Sequence, residues 1–154
     1  MPDHKSERKI SFKKQSILSQ VSDDGGLMTK AIQLQYKAAE YGFDWPTIEP
    51  VFAKLQEEIT ELKHELTLSI DACEDQEHYQ NRLQDELGDV LFCCMNLARF
   101  LKVDPSEALR STNEKFERRF SYIESSVAQE GKQMKDLSLQ ELDKVWDKAK
   151  EKGL

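Results

Sequence analysis

Apolar residues recur along this chain at helical spacing, and no stretch alternates as a half-buried strand does, so the expected fold class is all-α. The first stripe, Leu27, Ala31, Leu34 and Ala38, stops at Gly42, a residue suited to ending a helix. After the tight connection Phe43-Asp44-Trp45-Pro46, a second helix is predicted from near Thr47 to Pro50 up to about Ile70. Its buried stripe would be Phe52, Leu55, Ile59, Leu62 and Leu66. The acidic segment from Asp71 to His78 has no apolar face and reads as the loop of an antiparallel helix pair. A third helix is predicted from about Tyr79 to Leu101, and between Val90 and Phe100 it is apolar on almost every side, which predicts burial. Asp104-Pro105-Ser106-Glu107 then supplies an N-cap, a proline at the first helical position and an acid three residues after the cap. The fourth helix it opens should reach about Gln129, with Gly131 ending it. Ser138 and Glu141 repeat the capping-box spacing and start a last helix through Trp146 to Lys152.

Residues 1–26 mix basic residues with Ser, Asp and a Gly pair and show no sustained apolar period, so they are expected to be a flexible tail or linker. The remainder, 27–154, reads as one domain, which the chain length of 154 residues supports. Charged residues make up 33% and hydrophobic ones 38%, a balance suited to a thin antiparallel helical bundle whose core is completed by dimerisation. The net charge of −7 gives no basic footprint for nucleic acid. The longest apolar run, Val90 to Met95, is far short of the ~20 residues a membrane-spanning helix needs. Lys5, Arg8 and Lys9 are followed by no apolar run, so no secretory signal is expected. Cys73, Cys93 and Cys94 form an odd set that reads as reduced thiols in a cytoplasmic protein.

The chemistry concentrates on the second and third helices. Glu58 with Glu61, and Glu86 with Asp89, are like-charged pairs at a spacing that shares a helix face, and such pairs repel. If the two helices pack antiparallel, both pairs point into one space. Four converging carboxylates then call for a cation, and an all-oxygen donor set selects Mg²⁺ or Mn²⁺ over zinc. Gly88, inside Glu86-Leu87-Gly88-Asp89, weakens a helix by ~1 kcal/mol relative to Ala, which suggests close approach of a neighbouring helix or ligand. On the fourth helix, Lys115 and Arg119 share a face with no acid three or four residues away, beside Phe116 and Phe120. An anion would resolve that pairing, and phosphate suits arginine geometry, although a salt bridge to another helix would serve as well. Carboxylates that hold a divalent cation, combined with Lys and Arg, are the requirements of phosphoryl chemistry. There is no GxxxxGK[ST] loop, so a P-loop enzyme is excluded.

The strings GFDWP (42–46), EEITE (57–61), ELGDVLF (86–92) and NEKFERRF (113–120), in this order, resemble the MazG family of nucleoside triphosphate pyrophosphohydrolases. The likeness covers about residues 27–152, with residues 62–85 as a long gap between the two acidic motifs. It implies the all-α NTP pyrophosphohydrolase fold, a homodimer or higher homo-oligomer, and Mg²⁺-dependent conversion of NTPs or dNTPs to monophosphate and pyrophosphate, with Mn²⁺ able to substitute. Carried over by motif, Glu58, Glu61, Glu86 and Asp89 would be the metal ligands and Glu57 a further acid orienting water. Lys54, Arg82 and Asp85 fall where the family contacts nucleotide, Asp89 doing so as well as ligating. Lys115 and Arg119 would bind phosphates, and Trp146 with Lys150 matches a C-terminal Trp and Lys of the family. The segment up to residue 46 also resembles the junction between the two halves of longer members, and that resemblance implies a second-half domain.

Two other readings compete. Glu61-x-x-His64 is an element of di-iron bundles, but such sites need it twice and the third helix offers no His in that register. A non-catalytic helical interaction module would explain the stripes and the charge, but leaves the unpaired Lys115 and Arg119 and the coincident acids without a reason.

Overall fold

A computed structural model describes residues 16–68 and 76–154. Residues 1–15 of the expected tail, the expected helix end at Ile70, and the acidic connection as far as residue 75, Cys73 included, lie outside the described residues. Among the described residues there is no strand, as the apolar periodicity requires.

The chain divides into two compact units, the first ending at Phe100 and the second running Leu101–Leu154. In the first, a 3-10 turn at Ile17–Gln20 falls inside the segment expected to be a tail, and Ser16 Oγ caps it by accepting from the Leu18 amide at 3.2 Å. Helix α1 (Gly26–Ala39) ends where expected, because Gly42 at φ 83° takes the left-handed conformation and the Phe43 amide reaches back to the Ala38 carbonyl at 3.1 Å. Helix α2 (Glu49–Leu68) opens with Glu49-Pro50, where proline's missing N–H has no helical partner to lose. Helix α3 (Gln76–Leu101) starts three residues before the expected Tyr79, taking Gln76, Glu77 and His78 out of the loop.

Side-chain ties hold these elements together. Gln35 Nε2 on α1 donates to the Phe92 carbonyl of α3 at 2.9 Å. Arg82 on α3 pairs with Glu65 on α2 at 2.7 Å. Arg99 near the end of α3 grips Asp44 in the α1–α2 connection. Val51 is the fully buried apolar anchor of this unit. The expected burial of α3 is not found: it holds no buried residue, and Leu91 is 55% exposed and Phe92 43%. A helix apolar on most sides needs cover on most sides, and one chain's described elements do not supply it.

In the second unit, α4 (Pro105–Gln129) is capped by Asp104, whose Oδ1 accepts from the Ser106 and Glu107 amides at 2.8 and 3.3 Å. Ser138 and Glu141 make the reciprocal capping box that opens α5 (Leu139–Glu151). Ile123 and Val127 of α4 and Ala149 of α5 are buried, and Phe116 packs against Trp146 with ring centroids 5.3 Å apart. No helix among the described residues is long and apolar enough to cross a membrane.

Candidate active site

Acids of α2 and α3 converge, but not as the single set of four that was expected, because Glu61 falls outside the group that holds Glu86 and Asp89. One oxygen each from Glu58, Glu86 and Asp89 lie within 4.8 Å of one another, and so do one each from Glu57, Glu58 and Glu61. The two triads share Glu58, which is only 4% exposed. A carboxylate so deep in the protein requires a partner. Lys54, one turn earlier on α2, provides it at 2.6 Å and also meets Glu57 at 2.7 Å. These hydrogen bonds to Glu57 and Glu58 raise the ammonium pKa above its ordinary value, so Lys54 stays charged.

The other acids are less satisfied. A hydrogen bond shared with Glu58, and then burial, push the Glu61 carboxyl above the usual glutamate range. Burial, followed by the charges of Asp89 and Glu58, does the same for Glu86. Glu86 Oε2 is enclosed yet has no hydrogen-bond partner. An enclosed, unpaired carboxylate oxygen within reach of two more carboxylates is a donor set in need of a hard cation, and the all-oxygen chemistry fits Mg²⁺ or Mn²⁺. Neither triad contains a histidine.

The remaining sequence-derived candidates stand as follows. Arg82 is held by Glu65 and lies 6.0 Å from the Tyr79 ring centre, while Asp85 is exposed on α3. Lys115, Arg119, Trp146 and Lys150 belong to the second unit. Among the described residues Lys115 makes no ion pair, as its lack of local acids predicted. Arg119 meets no carboxylate side chain either; its Nε donates to the Leu154 carbonyl at 2.6 Å and its guanidinium lies 5.5 Å from the Trp146 ring centre. Lys150 pairs with Asp147 at 2.8 Å. At Gly88 a built Cβ would meet nothing within 4 Å, so within the described chain no neighbouring helix makes the close approach that the glycine suggested.

The periodicity reading missed the cavity beside the carboxylates. It encloses about 610 Å³ within the first unit, and its wall includes Lys54, Glu58 and Asp89 together with Leu34, Phe43, Trp45, Phe92, Asn96 and Arg99. That volume is in the range of small-ligand sites. Asn96 and Arg99 are the polar interruptions of the apolar run from Val90 to Phe100, and that interruption was the signal available in the sequence. Cys93 also lines the cavity, but burial, with the Glu58 charge behind it, raises its thiol pKa, so it is protonated and a weak nucleophile.

Comparison with known proteins bears on this geometry. Residues 47–123 match the MazG nucleotide pyrophosphohydrolase domain. The chain is 36% identical over 138 residues, 90% of its length and 49% of the relative's, to the nucleoside triphosphate pyrophosphohydrolase/pyrophosphatase MazG of Thermotoga maritima. It is 36% identical over 146 residues, 95% of its length and 53% of the relative's, to the nucleoside triphosphate pyrophosphohydrolase of Escherichia coli K12. Over a shorter stretch of 73 residues it is 51% identical to the uncharacterized protein YabN of Bacillus subtilis. The chain thus spans about half the length of the first two relatives.

Proposed function

Because the chain belongs to the MazG nucleotide pyrophosphohydrolase family, we propose that it is a cytoplasmic, Mg²⁺-dependent enzyme that hydrolyses nucleoside triphosphates to the monophosphate and pyrophosphate. The observation that carries this reading is the pair of carboxylate triads sharing Glu58, with the enclosed, unpaired Glu86 oxygen at one of them and a nucleoside-sized cavity alongside.

Glu58, Glu61, Glu86 and Asp89 would hold Mg²⁺, or Mn²⁺ in its place. When bound, the ion neutralises phosphate oxygens and acidifies a coordinated water. Glu57, exposed at the edge of its triad, orients the attacking water. Lys54 pairs with Glu58 and stands at the cavity wall, where it can meet a phosphate oxygen. Water adds at the phosphate chain and the α/β linkage breaks, releasing the monophosphate and pyrophosphate. Following the family resemblance, Lys115 and Arg119 bind phosphates and offset the charge that builds on the departing group. Arg82, Asp85, Trp146 and Lys150 are further nucleotide contacts on the same ground.

The working unit is a homodimer or higher homo-oligomer. Support comes from α3, whose exposed Leu87, Leu91 and Phe92 form an apolar surface that a second copy would cover.

The test is to incubate the purified protein with each common NTP and dNTP, with Mg²⁺ and with chelator, resolving monophosphate, diphosphate, pyrophosphate and phosphate. Monophosphate with pyrophosphate, only when Mg²⁺ is present, is the expected result. Diphosphate with phosphate would move the cleaved bond, and no turnover by folded, Mg²⁺-supplied protein would overturn the reading.

A further inference from the structure

Arg99 is a cation with a side chain only 7% exposed. Four of its five N–H donors are directed at two residues. NH1 and NH2 form a fork on the two carboxylate oxygens of Asp44, at 3.0 and 2.5 Å, and Nε and NH2 meet Asn96 Oδ1 at 3.0 and 2.8 Å. The rings of Phe100 and Tyr36 lie on the guanidinium at 4.6 and 5.4 Å from its centre. Desolvating an arginine this far is unfavourable unless its donors find acceptors. Here they are used on the wall of the cavity, since Asp44, Asn96 and Arg99 all line it.

Two consequences follow. Phe43 and Trp45 flank Asp44 and also line the cavity, yet they are 84% and 45% exposed, so core packing does not fix them. Their connection is held instead by the Phe43 amide on the Ala38 carbonyl at 3.1 Å, by the Asp44–Arg99 fork and by Asp44 Oδ1 accepting from the Trp45 amide at 2.9 Å. On the other side, Asn96 Oδ1 already accepts two hydrogen bonds from Arg99, which fixes the sense of the amide. Nδ2 is then left as the free donor; it has no partner in the described protein and is not among the enclosed polar atoms.

A nucleobase has the matching features: acceptors along its edge and a flat face for aromatic neighbours. We propose that Asp44 and Arg99 are positioning residues for the nucleotide base, holding Phe43 and Trp45 as one wall of its slot and turning Asn96 so that Nδ2 donates to an acceptor on the base edge. This rests on the triphosphate reading above and assigns the base end of that same site.

The test measures kcat and KM on the four dNTPs and on methyl triphosphate, which has no base, for the wild type, Asp44→Asn and Asn96→Leu. Both variants should raise KM for every dNTP about tenfold, the equivalent of one good hydrogen bond, with kcat little changed and methyl triphosphate unaffected. An equal loss on methyl triphosphate, or unchanged KM values, overturns the assignment. Asn96→Leu also removes an acceptor of Arg99, so circular dichroism is taken on both variants, and whichever stays folded carries the test. Calorimetric binding of α,β-methylene dNTPs separates this inference from the reaction. A wild type that binds them without cleaving natural dNTPs, with binding lost in the variants, sinks the hydrolase reading and supports the base slot. A folded wild type that binds none of them ends both.

Discussion

Lys54 and Glu58 are one helical turn apart on α2 and joined at 2.6 Å, so the least exposed carboxylate of the candidate site has a resident cation before any ion arrives. That lysine offsets the charge at the vertex shared by both triads and leaves the outer acids to attract a divalent ion.

Replacing Lys54 by Met should therefore shift the burden to the metal. The chelated protein is expected to melt below wild type, and the rise in Tm on adding Mg²⁺ should be larger than in wild type, because more uncompensated charge is relieved. Since Lys54 also lines the cavity, kcat/KM should fall by about ten- to a hundredfold, the range seen when residues supporting metal ligands are lost. Paired melts with and without Mg²⁺, alongside kinetics, check both parts.

Glu86→Gln mimics the protonated carboxyl. Burial and neighbouring acids raise the Glu86 pKa, so its contribution to stability is present at low pH and is lost as pH rises through the raised value. The metal-free variant should accordingly outlast wild type at neutral pH and match it on the acid side. It should also lose most of the Mg²⁺-induced rise in Tm and about a hundredfold in activity. In the wild type, protons compete with the cation at Glu61 and Glu86, so Mg²⁺ affinity should climb with pH across the weakly acidic range and then level off. Titration of Mg²⁺ at stepped pH measures that slope; a flat profile would remove both acids from the ligand set.

The parts of this fold legible in the sequence are those decided locally. The starts of α4 and α5 follow from Asp104-Pro105 and from Ser138 with Glu141, where a side chain satisfies amides two or three residues away. The acidic pairs were legible for the same reason, since spacing alone puts Glu58 with Glu61 and Glu86 with Asp89 on shared faces. Their arrangement as two triads meeting at Glu58 was not, because it depends on the rotation of α2 against α3. Arg99 was missed because the partner that explains it, Asp44, is 55 residues away and no periodicity links the two, and Asn96 is explained only through Arg99. The burial expected for α3 failed for a related reason: an apolar pattern says a surface needs cover, and does not say that the same chain supplies it.

Ser138→Ala tests whether the second unit depends on its capping box. The Ser138 hydroxyl accepts from the Glu141 amide at 3.3 Å, and the Glu141 carboxylate accepts from the Ser138 amide at 2.8 Å, so one substitution weakens a reciprocal pair. The expected cost is about 1 kcal/mol in urea-unfolding stability, with Mg²⁺ binding at the first unit's acids unchanged. Loss of Mg²⁺ binding in a folded Ser138→Ala protein would contradict the placement of the ligands on α2 and α3.

Gly88→Ala distinguishes a merely tolerated glycine from one that keeps space open. The residue sits inside α3 between Glu86 and Asp89, and a methyl built there has no atom within 4 Å. Helix propensity then predicts a gain of about 1 kcal/mol, since glycine's extra freedom in the unfolded chain is removed at no steric cost. Urea unfolding of the chelated protein, at concentrations low enough to hold it monomeric, should show that gain. The same variant followed by sedimentation at higher concentration reports on the outer face of the helix. Unchanged association would leave the glycine without a packing role, whereas weaker association beside a more stable monomer would mean that a second copy comes within contact of Gly88, which is the close approach its presence in the helix first suggested.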